Sequence, residues 1–282
     1  MTKTLNANQF VLGGDLKINR LGFGAMRVTG PGVWDYPKDV KGAIALLKKV
    51  VDMGVNFIDT ADSYGPEVSE NLIKEALYPY PKDLVIATKG GLTRPNAQRW
   101  EPVGRAEYIM QCVEMSLRRL KVDQIDLYQL HAIDPQVSLK ETLGALKQMQ
   151  KQGKIRHIGL SNFSVREIEQ AKEIIKPVSV QNLYNLANRR SEDVLMYCEK
   201  HNMGFIPWYP IGDGQLVKGA IAKMAEKKDV TPAQLALAWL LKRSAIMIPI
   251  PGTSSIDHLK ENMGTLQVEL TDNEFNELES LY

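Results

Sequence analysis

The chain has 282 residues, 44% of them hydrophobic and 24% charged, with a formal net charge of +2. That length is ample for a sizeable core and suits one large barrel or two ordinary domains; the composition is that of a globular protein. The charge is too small to argue for nucleic acid or an anionic membrane as a partner. In chain order, Phe10–Ile18 reads as a hairpin around Gly13 and Gly14. Apolar strand-like runs then alternate with amphipathic helical segments. Leu21–Met26 precedes a helix near Val40–Met53, Asn56–Thr60 one near Ser69–Tyr78, and Leu84–Lys89 one near Ala106–Leu120. Ile125–Leu130 precedes Leu139–Gln152, Ile155–Ser161 precedes Val165–Ile175, and Val178–Tyr184 precedes Glu192–His201. Gly204–Trp208 leads to a helix beginning near Leu216, and Thr231 with Pro232 opens an additional helix. Ile246–Ile250 leads to Ile256–Met263, and Thr271–Tyr282 forms a last helix outside the barrel.

The Ile, Val and Leu content of the strands is that of parallel strands covered on their outer face. Eight strand–helix units after the hairpin predict an α/β protein, a closed (β/α)8 TIM barrel rather than an open doubly wound sheet. No Ser/Gly-rich linker interrupts the chain, so residues 1–282 are expected to form a single domain. Met1–Asn6 lacks the apolar stretch of a secretory signal, and no run approaches the roughly 20 apolar residues that cross a bilayer. Cys112 and Cys198 fall in helical patterns and make no metal-type pair. Reduced thiols in a cytoplasmic protein are the expectation.

Four titratable residues end, or closely follow, three of the strand-like runs: Asp59, Tyr64, Lys89 and His131. Parallel strands bring such tips together at the carboxyl edge of the sheet, where α/β proteins place their chemistry. Any one of them has a plain structural use, such as an Asp that caps the next helix. Four complementary types at four matching positions are harder to dismiss. Reduction of a carbonyl needs a hydride for carbon and a proton for oxygen. Tyr64 can supply the proton, and an adjacent Lys89 ammonium is expected to lower its pKa from near 10 toward working pH. Asp59 pairs with Lys89, and His131 hydrogen-bonds the substrate oxygen.

The stretches Phe57–Gly65, Ala87–Lys89 and Leu130-His131 resemble the aldo-keto reductases. So do Gly159–Phe163 and Val180–Tyr184, and the likeness runs from the hairpin to the last helix. It implies a nicotinamide cofactor held at the open end of the barrel without a Rossmann domain. Gly22-Phe23-Gly24 accordingly lacks the third glycine of a dinucleotide fingerprint. The resemblance carries the catalytic roles to Asp59, Tyr64, Lys89 and His131. It assigns Ser161, Asn162 and Gln181 to the nicotinamide carboxamide, whose donors and acceptor suit hydroxyl and amide partners. Trp208 takes the place of the usual stacking tyrosine, and Tyr209–Gly214, Gly212 included, matches the loop over the pyrophosphate.

Ile250–His258 matches the adenosine-phosphate site, with Glu261 and Asn262 facing the adenine. Members that clamp a 2′-phosphate often carry Lys where this chain has Gly252 and Arg where it has His258. Thr253, Ser254 and His258 still offer donors, so NADPH is expected, with NADH as the alternative. Trp34, and secondarily Trp100, are expected to wall a pocket for a small carbonyl compound. The Gly30-Pro31-Gly32 loop, Glu75–Tyr80 and the Pro251–Ser255 segment resemble a bacterial branch similar to pyridoxal reductases, so pyridoxal is the first substrate to assay. No nucleic acid, membrane or obligate protein partner is expected.

A second reading from similar sequences is a nicotinamide-binding regulatory or redox-sensing subunit with little turnover. That role predicts an added N-terminal segment, for which a hairpin beginning by residue 10 is expected to leave little room. A metal-dependent hydrolase barrel needs clustered His ligands. His157 and His201 fall at a strand start and a helix end, and no metal is expected.

Overall fold

The computed structural model of the protein describes residues 8–212 and 219–282. Strands β1 (Gln9–Leu12) and β2 (Leu16–Asn19) pair antiparallel through a loop in which Gly13 and Gly14 adopt φ of 65° and 91°. Only glycine enters that left-handed region freely, which fixes the turn at this point. Alternation then turns Leu12, Leu16 and Ile18 into the core.

The chain continues through β3 (Phe23–Gly24), α1 (Val40–Asp52), β4 (Phe57–Asp59), α2 (Val68–Leu77) and β5 (Val85–Gly90). A second antiparallel hairpin follows, β6 (Leu92–Asn96) and β7 (Arg99–Pro102), which the sequence pattern does not announce. Then come α3 (Ala106–Leu120), β8 (Ile125–Leu130), α4 (Leu139–Lys151), β9 (Ile155–Ser161), α5 (Val165–Lys172) and β10 (Pro177–Leu183). The chain ends with α6 (Glu192–Lys200), β11 (Gly204–Trp208), α7 (Ala220–Lys227), α8 (Pro232–Arg243), α9 (Ile256–Gly264) and α10 (Asp272–Ser280). The expected start of α7 near Leu216 lies outside the described residues.

Local chemistry sets several boundaries. Capping boxes open α5 (Ser164 with Glu167), α8 (Thr231 with Gln234, Pro232 following) and α10 (Thr271 with Glu274). Each satisfies two backbone groups that a helix start leaves without partners. The face of α3 carrying Ile109, Cys112, Val113, Ser116, Leu117 and Leu120 is buried, at helical spacing.

Seven strands form one curled parallel sheet in the order β11-β10-β9-β8-β5-β4-β3. The eighth expected strand, Ile246–Ile250, is not a regular ladder strand. Pro249 and Pro251 have no N–H to give. The segment still bonds to both edges of the sheet. Phe205 N donates to Ile246 O at 3.0 Å and Ile248 N to Phe205 O at 2.8 Å; Gly22 N donates to Pro249 O at 3.0 Å and Gly24 N to Pro251 O at 3.4 Å. Carbonyls alone suffice on the β3 side, so the prolines cost nothing there. The first hairpin packs at the amino end of the sheet: a Cβ on Gly204, at the start of β11, would lie 2.8 Å from Leu12 Cδ1. Asp15 in its loop meets His157 Nε2 at 2.6 Å. The carboxyl end stays open.

Candidate active site

Parallel register gathers the polar strand ends. Lys89 pairs with Gln129, Gln129 with Gly159, and Ser161 with Gln181 across successive strands. Asp59 closes β4, His131 directly follows β8, and Tyr64 sits on the turn after β4, where its N–H donates to Ala61 O at 3.2 Å.

Lys89 is fully buried. Its ammonium donates to Asp59 Oδ2 at 2.6 Å, Thr60 O at 3.0 Å and Tyr64 Oη at 3.2 Å, which uses its three N–H groups. The other oxygen of Asp59 accepts from Gln129 Nε2 at 2.9 Å and Gln181 Nε2 at 2.8 Å. A buried ion pair is tolerable only when its remaining hydrogen-bonding capacity is met, as here. Gln129 carries no role in the sequence reading; its signal is a polar residue one step from the carboxyl end of β8.

The electrostatics differ from expectation at Tyr64. Burial raises the phenol pKa, and the Lys89 charge offsets only part of that, so the hydroxyl stays protonated above its ordinary range. Lys89 cannot act as a simple pKa depressant at so dry a site. It is instead a cation held against the oxygen that would become negative. Burial works to lower the Lys89 pKa, but Asp59 and Tyr64 together carry it above its usual value, so the ammonium persists. Burial, and then the charges of Lys89 and Arg94, hold His131 well below the ordinary imidazole range. Its ring is neutral at neutral pH. Ser63 Oγ lies 3.2 Å from His131 Nδ1; a hydroxyl donating there leaves the ring proton on Nε2.

Asp59, Tyr64, His131, Ser161, Asn162, Gln181 and Trp208 line a cavity of about 750 Å3 with Thr253, Ser254 and His258. At the inner end Gln181 spends both amide N–H groups on Asp59 Oδ1 and Gln129 Oε1, which leaves its carbonyl oxygen to accept. Asn162, at φ 63°, donates to His131 O and Ser161 Oγ at 3.2 Å each and accepts from Trp208 Nε1 at 3.0 Å. It therefore ties the ring of Trp208 to the strand ends that carry Ser161 and His131. Tyr209, Pro210 and Ile211 continue the wall, and Gly212 follows at φ 64°. The remainder of that loop, Asp213 and Gly214, lies outside the described residues.

At the outer end Ser255 caps α9 by accepting from His258 N, and Thr253 Oγ1 accepts from Ser255 N at 3.0 Å. Glu261 and Asn262 lie further along α9 and are not among the lining residues. A carboxamide-sized set of acceptor, hydroxyl and indole at one end, with hydroxyls and a helix start at the other, fits an elongated nucleotide.

Of the two tryptophans expected to wall a substrate pocket, Trp34 does not line the cavity and Trp100 does. The reason is the β6–β7 hairpin, which carries Trp100 to within 6.3 Å of the Tyr64 ring and 6.4 Å of the His131 ring, edge-on to both. The Trp34 ring lies instead 5.5 Å from the guanidinium of Arg94.

The Aldo/keto reductase family model matches residues 20–282. An uncharacterised oxidoreductase of Schizosaccharomyces pombe is 53% identical over 268 residues, 94% of this chain and 87% of the relative. The pyridoxine 4-dehydrogenase of Escherichia coli is 37% identical over 284 residues, 98% of this chain and 99% of the relative. Among solved structures, a glycerol dehydrogenase from Gluconobacter oxydans superposes with a TM-score of 0.90 at 26% identity, covering 98% of this chain and 95% of its own. An aldo-keto reductase from Klebsiella pneumoniae in complex with NADPH gives 0.84 at 27% identity, covering 99% and 96%. Sequence, fold and strand-end chemistry agree, and the chain belongs to the aldo/keto reductase family of oxidoreductases.

Proposed function

We propose that the protein uses NADPH to reduce a small aldehyde or ketone to the alcohol, on a single (β/α)8 barrel in which 246–251 stands for the eighth strand. The carrying observation is the buried Lys89 ammonium, 3.2 Å from Tyr64 Oη and 2.6 Å from Asp59 Oδ2, directly behind two residues that line the large cavity. The Klebsiella relative with NADPH supports the cofactor. Ser161, Asn162, Gln181 and Trp208 would hold its nicotinamide end, and Thr253, Ser254 and His258 its adenosine-phosphate end. When bound, the cofactor supplies the hydride.

The residues of the chain handle the proton and the charge. The substrate oxygen sits where Tyr64 Oη and the imidazole of His131 both reach it. The neutral ring donates a hydrogen bond to that oxygen and orients it without competing for its proton. Tyr64 gives up its proton as negative charge develops there. Lys89 then stabilises the phenolate, and Asp59 keeps Lys89 charged and in place. Burial raises the cost of forming a phenolate in the resting enzyme, so the proton is released only when an alkoxide is there to take it.

Pyridoxal is the substrate to assay first, supported by the name of the Escherichia coli relative and by the aromatic wall of the cavity. The test is Tyr64→Phe, followed at the nicotinamide absorbance with a panel of aldehydes. Carbonyl reduction is expected to fall by about 10²–10⁴-fold, the range for loss of a general acid. NADPH binding, read by fluorescence quenching, is expected to survive. Turnover like that of the unsubstituted protein would remove Tyr64 from its role.

A further inference from the structure

Arg94, on β6, is 8% exposed and spends all four terminal N–H groups on backbone carbonyls. Nη1 donates to Val33 O and Ser63 O at 3.0 Å each; Nη2 donates to Gly32 O at 3.1 Å and Ala97 O at 2.9 Å. Those carbonyls belong to three separate segments: the loop after β3, the turn that carries Tyr64, and the tip of the β6–β7 hairpin. The guanidinium carbon also lies 3.5 Å from the centre of the Trp100 ring, close enough for strong cation–π contact. Trp100 stands edge-on to Tyr64 and His131 over the cavity, whereas Arg94 is not among the lining residues.

We propose that Arg94 is a positioning residue: it locks Trp100 over the catalytic tyrosine and binds three segments into one substrate wall, and so sets the preference for ring-bearing aldehydes. The proposal rests on the reductase reading above. A planar fork with four terminal donors is what the arrangement requires, and lysine, with three donors on a single nitrogen, cannot reproduce it. Because Arg94 acts through Trp100 and not on the reacting atoms, its loss removes binding common to ground and transition states. Such a loss appears in KM rather than kcat. Its charge also faces His131 and helps to keep the ring neutral, which a purely structural residue would not do.

The test compares benzaldehyde with butanal in the unsubstituted protein, Arg94→Met, Arg94→Lys and Trp100→Ala, each with NADPH binding measured by fluorescence. For Arg94→Met and Trp100→Ala the benzaldehyde KM is expected to rise about tenfold, with kcat falling less than about threefold and butanal much less affected. That size is what an aromatic contact contributes. Arg94→Lys is expected to lie between. Independently of activity, NMR titration of His131, one of four histidines, is expected to move to higher pH in Arg94→Met and to stay put in Arg94→Lys. KM values that rise equally for both aldehydes, or not at all, overturn the proposal, as does an unmoved His131 titration. Should Arg94→Met fail to fold, Trp100→Ala decides, since that ring is 38% exposed and its loss leaves the core intact. An unsubstituted protein that binds NADPH but reduces neither aldehyde defeats the reductase reading, on which the proposal rests, and is told apart from a failure of the Arg94 role alone, in which both aldehydes are reduced.

Discussion

Asp62, between Asp59 and Tyr64, is a carboxyl that the proposed chemistry does not use. It is 8% exposed, and its Oδ1 has no hydrogen-bond partner among the described residues. Burial, and then the charge of Glu70, push it from an ordinary 3.8 up to about 8. Between pH 4 and 8 the folded protein therefore holds a proton there that the unfolded chain has released. Stability from this group is present below about pH 4 and is lost as pH rises through about 8, after which it stays flat. Asp62→Asn keeps the shape and removes the titration. Its melting temperature relative to the unsubstituted protein is expected to climb with pH across that window, reaching several degrees near pH 8. Thermal melts at pH 5, 7 and 9 check this, and a difference that does not change with pH rules it out. The strand-end residues are legible in the sequence because each closes an apolar run. The raised pKa values of Asp62 and Tyr64 are not, since burial depends on the whole fold. Nor does sequence separate Trp34 from Trp100, because cross-loop packing decides which ring reaches the cavity.

Helix α9, with the loop that leads into it, is the element on which coenzyme choice is expected to turn. The resemblance implies a lysine and an arginine for a 2′-phosphate, but this chain has Gly252 in the loop before α9 and His258 in its first turn. Thr253 Oγ1 accepts from Ser255 N, and its only acceptor among the described residues, Ser255 O, is distant at 3.5 Å. The hydroxyl proton is thus available to an anion at the helix start. NADPH is expected to raise the melting temperature more than NADH does, and Thr253→Ala to shrink the NADPH shift selectively. A hydrogen bond to a charged group contributes about 1.5–3 kcal/mol, roughly tenfold or more in affinity. Equal shifts with the two coenzymes would refute the preference. The helices themselves read well from sequence, since capping residues such as Ser164, Thr231 and Thr271 mark their starts. Two elements read poorly, for physical reasons. Pro95, Asn96 and Ala97 break the alternation of β6–β7, so that hairpin shows only in three dimensions. Ile246–Ile250 has the apolar content of a strand, but the prolines beside and within it leave carbonyls where a ladder needs donors.

For the whole molecule the question is what holds the two edges of the curled sheet together, because the polar strand ends at the cavity are placed only while it keeps its curvature. Arg20, just after the first hairpin, is 6% exposed and answers from the end opposite the site. Its Nε donates to Met247 O at 3.1 Å, and its Nη2 to Leu241 O at 2.7 Å and to Ser244 O. Leu241 lies in α8 and Ser244 is its C-cap, so the cation meets the negative end of a helix. Burial draws the guanidinium pKa down to about 10, which leaves it charged at neutral pH. Two and four residues later, Gly22 and Gly24 donate to Pro249 and Pro251. Arg20 thus anchors the seam that these two amides continue. Arg20→Met strips those carbonyls of a charged donor, and hydrogen bonds to charged groups contribute about 1.5–3 kcal/mol each. A fall in melting temperature on the order of 10 °C is expected, given about 2–4 °C per kcal/mol at this size. The loss should be local first. Amide exchange at Gly22 and Gly24 is expected to accelerate well below the unfolding transition, while Gln129 in the central strand stays protected. Reduction by the still-folded fraction should change little, since the Lys89–Asp59 pair sits at the far end of the strands. Uniform acceleration across the sheet would mean that the seam has no separate opening, and that Arg20 stabilises the molecule only as a whole.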